Sequence, residues 1–183
     1  MARARIIALG LVTQAYPFLV YWAMGRFQPR WMSLLLLLLA LLRATSTRQP
    51  IWWAAAAGAG ILSLLTTLFN QSLPLKLYPA LMNFVMLLMF ASSLRFGPPV
   101  VERLARLQDP DLPAFAVRYT RQVTWVWCGF FLGNGSAALV TALWASDRIW
   151  SLYNGGVAYG LMGLLFVGEW LLRGRIKAVH AHD

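Results

Sequence analysis

Two long apolar runs, separated by only three residues, constrain this chain more than any other feature. From Val123 to Ala145 there is no charge, and from Ile149 to Leu172 the only one is Glu169. Each run exceeds the roughly 20 apolar residues that an α-helix needs to cross about 30 Å of hydrocarbon. Ser146, Asp147 and Arg148 between them suffice only to turn the chain round. Residues 120–145 and 149–172 therefore read as a transmembrane helical hairpin. Gly129, Gly133, Ala137 and Thr141 recur at every fourth position on its first arm, and Gly156 and Gly160 on its second. Small side chains in one stripe mark faces where another helix can approach closely, within the chain or across a homodimer.

The remaining sequence extends this pattern. Apolar segments at 6–25, 29–44, 51–69 and 77–95 precede the hairpin and bring the expected number of spans to six. Segment 29–44 is the shortest and needs Arg43 and Arg48 to snorkel to the surface. Trp52 and Trp53 open the third segment, where interfacial aromatics belong. Residues 99–108 differ in character. Val100, Leu104 and Leu107 recur at helical spacing, with Glu102, Arg103 and Arg106 on the other side. Such a piece is too short and too charged to span, so an amphipathic helix on the membrane surface is expected. With 60% hydrophobic and 12% charged residues, a chain of this size cannot hide its apolar surface in a soluble core. The expected fold is one all-α, polytopic membrane domain over 1–183.

The net charge of +10 does not point to nucleic acid, because the arginines sit at the ends of apolar runs and face lipid headgroups. Six spans with the N-terminus inside put Arg3, Arg5, Arg43, Arg48, Arg95, Arg103, Arg106, Arg118, Arg121, Arg173, Arg175 and Lys177 on the cytoplasmic side. Arg26, Arg30, Lys76 and Arg148 fall opposite, a 12:4 split. The positive-inside rule then places both termini in the cytoplasm.

Several stretches carry a resemblance. Tyr78-Pro79, Asn83, SLRFGPPVVERLAR from Ser93, RYTRQVTWVWCGFFLGNG from Arg118 and WSLYNGGVAYGLMGLLFVGEWLLR from Trp150 resemble a family of small bacterial inner-membrane proteins. Genes of that family lie beside acyl carrier proteins, ketosynthases, acyltransferases and AMP-dependent ligases of aryl-polyene or fatty-acyl assembly clusters. Some members are labelled ketosynthase, a label borrowed from those neighbours. More remotely, the layout is similar to septation protein A. The close resemblance covers 78–175. It implies an accessory role in lipid or polyene assembly and partners such as acyl carrier protein, acyltransferase or synthase. It transfers no catalytic residues, since neither family supplies an established reaction.

Candidate site residues follow from what is costly in a membrane. Glu169 suggests a proton or ion path, or a structural pair with Arg173 one turn on. Asn83, Asn134 and Asn154 suggest a polar groove, or amides that bridge helices. Asn154 and Glu169 lie about 22 Å apart along a helix axis, so they cannot act on one small bond. Arg95, Arg103, Arg106, Arg118 and Arg121 suggest a surface for headgroups or an acidic partner, or ordinary topology-setting charge. No catalytic constellation is recognisable. The two histidines, His180 and His182, lie in the C-terminal tail, and the single cysteine, Cys128, is flanked by Trp127 and Gly129. Neither a Ser-His-acid set, a phosphate-cradling loop nor a metal cluster can be assembled, and no cofactor is implied. The expected function is a non-catalytic membrane subunit that scaffolds such an assembly system or binds its lipid. The alternative is a small proton-coupled transporter or flippase with Glu169 as the titrating group.

Overall fold

The computed structural model describes residues 16–23, 26–47, 50–107 and 109–180. Among them every regular element is a helix. Helix α1 covers 16–23. It is followed by α2 (Pro29–Thr47), α3 (Pro50–Phe69), the single turn α4 (Leu73–Lys76), α5 (Tyr78–Arg95), α6 (Val100–Arg106), α7 (Ala114–Trp144), α8 (Asp147–Leu152), a π-helical segment (Tyr153–Val157) and α9 (Ala158–His180). Among the described residues five stretches are long and apolar enough to cross a membrane: Pro29–Ser46, Pro50–Phe69, Leu73–Arg95, Ala114–Trp144 and Asp147–Gly174. The protein is an all-α polytopic membrane protein. Of the expected first span, 6–25, all but 16–23 lies outside the described residues.

Four boundaries differ from expectation, each for a local reason. The short second segment becomes a helix of 19 residues, because α2 runs through Thr45 and Ser46. Their hydroxyls donate back to the Leu41 and Leu42 carbonyls at 2.6–3.1 Å, so polar residues continue the helix without unmet groups. Helix α7 starts at Ala114 and has 31 residues. At 1.5 Å per residue it is about 46 Å long, well beyond the hydrocarbon, so its first turns carry Arg118 and Arg121 out of the membrane. Pro74 and Pro79 occupy the first turns of α4 and α5, where a missing N–H costs nothing. The last span is interrupted by the π turn, which inserts one extra residue around Asn154, Gly155 and Gly156.

The bundle is built from two close antiparallel pairs, α2 with α3 and α5 with α7. Gly58 joins the pairs. A Cβ there would lie 2.6 Å from a Leu81 methyl, so α3 and α5 approach closely only because that side chain is absent. Gly135 does the same between α7 and α5, where a Cβ would meet the Asn83 Cβ at 2.9 Å. Gly155 admits the ring of Phe18 from α1. One core gathers Tyr16, Leu36, Ala40, Ala56, Ala59, Leu75, Ala142 and Trp150. The other stacks Phe90, Trp127 and Phe131, with Phe90 and Phe131 edge to face at 5.1 Å. Trp150 is fully buried, and its indole N–H donates to the Lys76 carbonyl at 3.0 Å. Lys76 in turn pairs with Asp147 at 3.1 Å, which ties the α4 turn to the tip of the hairpin.

Among the described residues the glycine stripe expected to pack meets no partner within the chain. Gly129, Gly133, Gly156 and Gly160 have nothing within 4 Å of an added Cβ. The buried face of α7 instead carries Trp127, Phe131, Asn134, Ala138 and Ala142. Surface helix 99–108 is observed as Val100–Arg106, with residue 108 outside the described residues. In it Glu102 is buried and pairs with Arg106 at 2.8 Å, while Leu104 and Leu107 are exposed. Gly135→Ala is expected to lower stability by about 1–3 kcal/mol through overpacking against Asn83. Gly133→Ala changes it by less than about 0.5 kcal/mol. Thermal unfolding of the purified protein in detergent separates the two.

Candidate functional site

Hydrocarbon offers no hydrogen-bond partner, so a polar side chain on a spanning helix must find one on a neighbouring helix. Asn134 of α7 does this twice. Its amide N–H donates to Asn83 Oδ1 of α5 at 3.0 Å, and its Oδ1 accepts from the Tyr153 hydroxyl at 3.0 Å. Asn83 donates onward to the Pro79 carbonyl at 2.8 Å, a carbonyl that the proline-led first turn leaves near the helix start. Asn154, in the π turn, donates to Thr141 Oγ1 at 3.1 Å and to the Trp150 carbonyl at 2.9 Å. The structure thus brings the three asparagines together around one junction of α5, α7 and the π turn. Among the described residues no buried side-chain nitrogen or oxygen is left without a partner.

Beside this junction lies a cleft of about 250 Å³, roughly the volume of eight waters in the liquid. Its polar lining consists of Tyr16, Arg43, Tyr78, Asn83, Asn134, Asn154 and Tyr159. Its apolar wall is Met82, Met86, Phe131 and Met162, with Trp52 beside Arg43. The Arg43 guanidinium lies over the Trp52 ring at 3.9 Å, a cation–π contact that offsets part of the cost of a charge at this position. Arg43 is also within electrostatic reach of Tyr78 and Tyr159. Tyr16 and Tyr78 meet edge to face at 5.1 Å, and the Tyr16 hydroxyl donates to the Leu75 carbonyl at 3.0 Å. The π turn aims Asn154 into the cleft, and such turns recur at functional sites.

Two other expected site residues are elsewhere. Glu169 and Arg173 do not line the cleft. They face each other one turn apart at 3.7 Å, with the Glu169 side chain 19% and the Arg173 side chain 40% exposed. The Tyr119 hydroxyl donates to the Glu169 carbonyl at 3.2 Å, which makes this stretch a contact between α7 and α9. The basic loop divides. Arg103 donates to the Pro98 carbonyl at 2.7 Å, Arg106 to Glu102 and the Pro110 carbonyl at 2.9 Å, and Arg121 to the Leu94 carbonyl at 3.1 Å. These three clamp the corner from α5 through α6 to α7. Arg95 and Arg118 are exposed.

Arg43, Tyr78, Tyr159 and the methionines are not site residues in the sequence reading, which takes Arg43 as an interfacial charge and Tyr78 only as part of a motif. Arg43 had a usable signal: it is a cation one turn inside a leucine-rich helix once that helix reaches Thr47. The methionines had none, since an apolar residue on a span is ordinary. Chemically, the lining offers donors, acceptors and one guanidinium, with no carboxylate, imidazole or thiol among the lining residues. Such a set is chemically able to bind and orient a guest. Among the described residues no cluster of three or more His, Cys, Asp or Glu occurs. Comparison with protein-family models, with curated proteins and with solved structures finds no match.

The asparagine junction is expected to be energetically coupled. A double-mutant cycle on Asn83→Ala and Asn134→Ala, read by unfolding in detergent, should give an interaction of about 0.6 to 1.7 kcal/mol. Glu169→Gln should change stability by no more than about 0.5 kcal/mol.

Proposed function

We propose that this protein is a non-catalytic subunit of the bacterial inner membrane that holds a lipid or lipid-like molecule in the cleft between α2, α3, α5, α7 and α9. The observation that carries the proposal is the cleft itself, lined by amides, phenols and a guanidinium together with methionines and a phenylalanine. A guest suited to both kinds of side chain is amphipathic. The absence of any acid, histidine or cysteine among the lining residues favours binding over turnover. The resemblance over 78–175 supplies the setting, an accessory role in lipid or acyl/polyene assembly with acyl carrier protein, acyltransferase or synthase as partners. Exposed Arg95 and Arg118 are the part of the basic loop left to meet headgroups or such a partner. Both termini are cytoplasmic in this proposal, on the strength of the 12:4 charge split. Gly129 and Gly133 meet nothing among the described residues and supply the face of a homodimer in this proposal. A proton-coupled transporter working through Glu169 draws no support from the geometry, because Glu169 stands outside the cleft beside Arg173.

Native mass spectrometry of the gently extracted protein tests this reading. The expected result is a retained lipid or polyene mass that disappears in Met86→Trp, which fills the apolar wall. Equal retention by the wild type and Met86→Trp would contradict it. In the same spectra Gly133→Leu is expected to lower the dimer fraction.

A further inference from the structure

Resting on the cleft reading, we infer that the guest's head is uncharged and carries a hydroxyl group, as in an acylglycerol or a fatty alcohol, and that Tyr78, Tyr159 and Asn154 recognise it. The first ground is which polar groups of the cleft are already engaged. The Tyr16 hydroxyl donates to the Leu75 carbonyl, Asn83 donates to the Pro79 carbonyl and accepts from Asn134, and Asn134 accepts from Tyr153. Asn154 spends its amide protons on Thr141 and the Trp150 carbonyl. Arg43 is engaged as well, with the Trp52 ring at 3.9 Å among its contacts. Among the described residues the hydroxyls of Tyr78 and Tyr159 and the Oδ1 of Asn154 remain without a hydrogen bond, and all three residues line the cleft. Tyr78 is 7% and Asn154 4% exposed. Since no buried side-chain nitrogen or oxygen among the described residues lacks a partner, the unbonded oxygen is the part of each side chain that reaches open space. That space is the cleft.

The chemistry of these three oxygens selects the head. A phenol hydroxyl both donates and accepts, whereas an amide oxygen only accepts. A hydroxyl on the guest matches both, accepting from a phenol and donating to Asn154. A carboxylate or phosphodiester has no proton to donate and sets its charge against the Asn154 lone pairs. Its burial in a low-dielectric space is costly unless every lone pair is met. A cation shares the cleft with the Arg43 guanidinium and is repelled by it. A bare alkyl chain displaces water from the three oxygens and leaves them unmet. The two phenols are within electrostatic reach of each other, so one small head can meet both. A space of about 250 Å³ accommodates such a head and a few carbons but not a whole lipid. The chain starts against Met82, Met86, Met162 and Phe131, where the flexible, polarisable methionines adapt to different shapes.

The test uses the full chain in detergent, titrated with monoolein, oleyl alcohol, methyl oleate and oleate and read by native mass spectrometry. The wild type is expected to bind monoolein or oleyl alcohol at least about tenfold more tightly than oleate, and at least about threefold more tightly than methyl oleate, which accepts but cannot donate. Tighter binding of monoolein identifies an acylglycerol head, and tighter binding of oleyl alcohol a simple alcohol. Tyr78→Phe and Tyr159→Phe are each expected to weaken the hydroxyl-bearing ligands by about threefold, and the double variant to bring them near the oleate level. The unfolding temperature in detergent is expected to stay unchanged in both single variants, because neither hydroxyl bonds within the described protein; a merely structural role would lower it. Tyr119→Phe, outside the cleft, is expected to leave binding as it was. Should the double variant fail to fold, the two single variants carry the test. No preference for the hydroxyl-bearing ligands in the wild type, or an unchanged preference in both Tyr78→Phe and Tyr159→Phe, overturns the inference. Loss of all four ligands in Met86→Trp alongside either of those results leaves the cleft reading standing and removes only the hydroxyl head. Unchanged binding of all four in Met86→Trp removes the cleft reading itself.

Discussion

Hydrocarbon cannot satisfy a polar group, and this single constraint orders the bundle. Asn134 sits in the middle of α7 and must be paired, so α5 presents Asn83 and the π turn presents Tyr153 at 3.0 Å each. Those bonds set the rotation of α7 about its axis. With Asn134 turned inward, Trp127, Phe131, Ala138 and Ala142 follow it into the core. Gly133, one position away and about 100° round the helix, is carried outward. The contact that α7 then makes with α5 is close because Gly135 offers no side chain to Asn83. A second fixed point lies at the other end of the hairpin, where buried Trp150 bonds the Lys76 carbonyl and Lys76 pairs with Asp147.

The cleft is a consequence of the same constraint. Three asparagines, three tyrosines and Trp52 are brought to one cleft that methionines and Phe131 also line. The π turn reinforces this, since an extra residue in the helix swings Asn154 toward Thr141 and opens the helix at Gly155, where Phe18 enters. Arg43 closes the cleft on the α2 side, held against Trp52. The result is a pocket lined both by polar groups and by soft apolar side chains.

Much of the architecture was legible in the sequence, because hydrophobic length is the strongest signal a membrane chain carries. The hairpin, the third and fourth spans and the short helix before α7 follow from apolar runs, prolines and charges. The junction was legible too, since Asn83, Asn134 and Asn154 are conspicuous among leucines. Orientation was not. Spacing alone puts Gly129 and Gly133 on one face and Asn134 on another, and only the energies decide which face is buried; the amide prevailed over the glycines. Helix ends were equally hidden, because back-bonded hydroxyls at Thr45 and Ser46 disguise a helix as a turn. Arg43 consequently looked like an interfacial charge, although it lines the cleft. Glu169 drew attention as an acid in a span, yet a partner one turn away accounts for it.

The central claim is that an acyl-bearing molecule enters the bundle rather than only coating it. Photo-cross-linking in the membrane with a fatty-acyl diazirine lipid, followed by peptide mapping, addresses it most directly. Adducts at Met82, Met86 or Met162, diminished when the cleft is blocked, are the predicted result. Adducts confined to outward residues such as Leu132 and Leu164, with none at the methionines, would contradict the account.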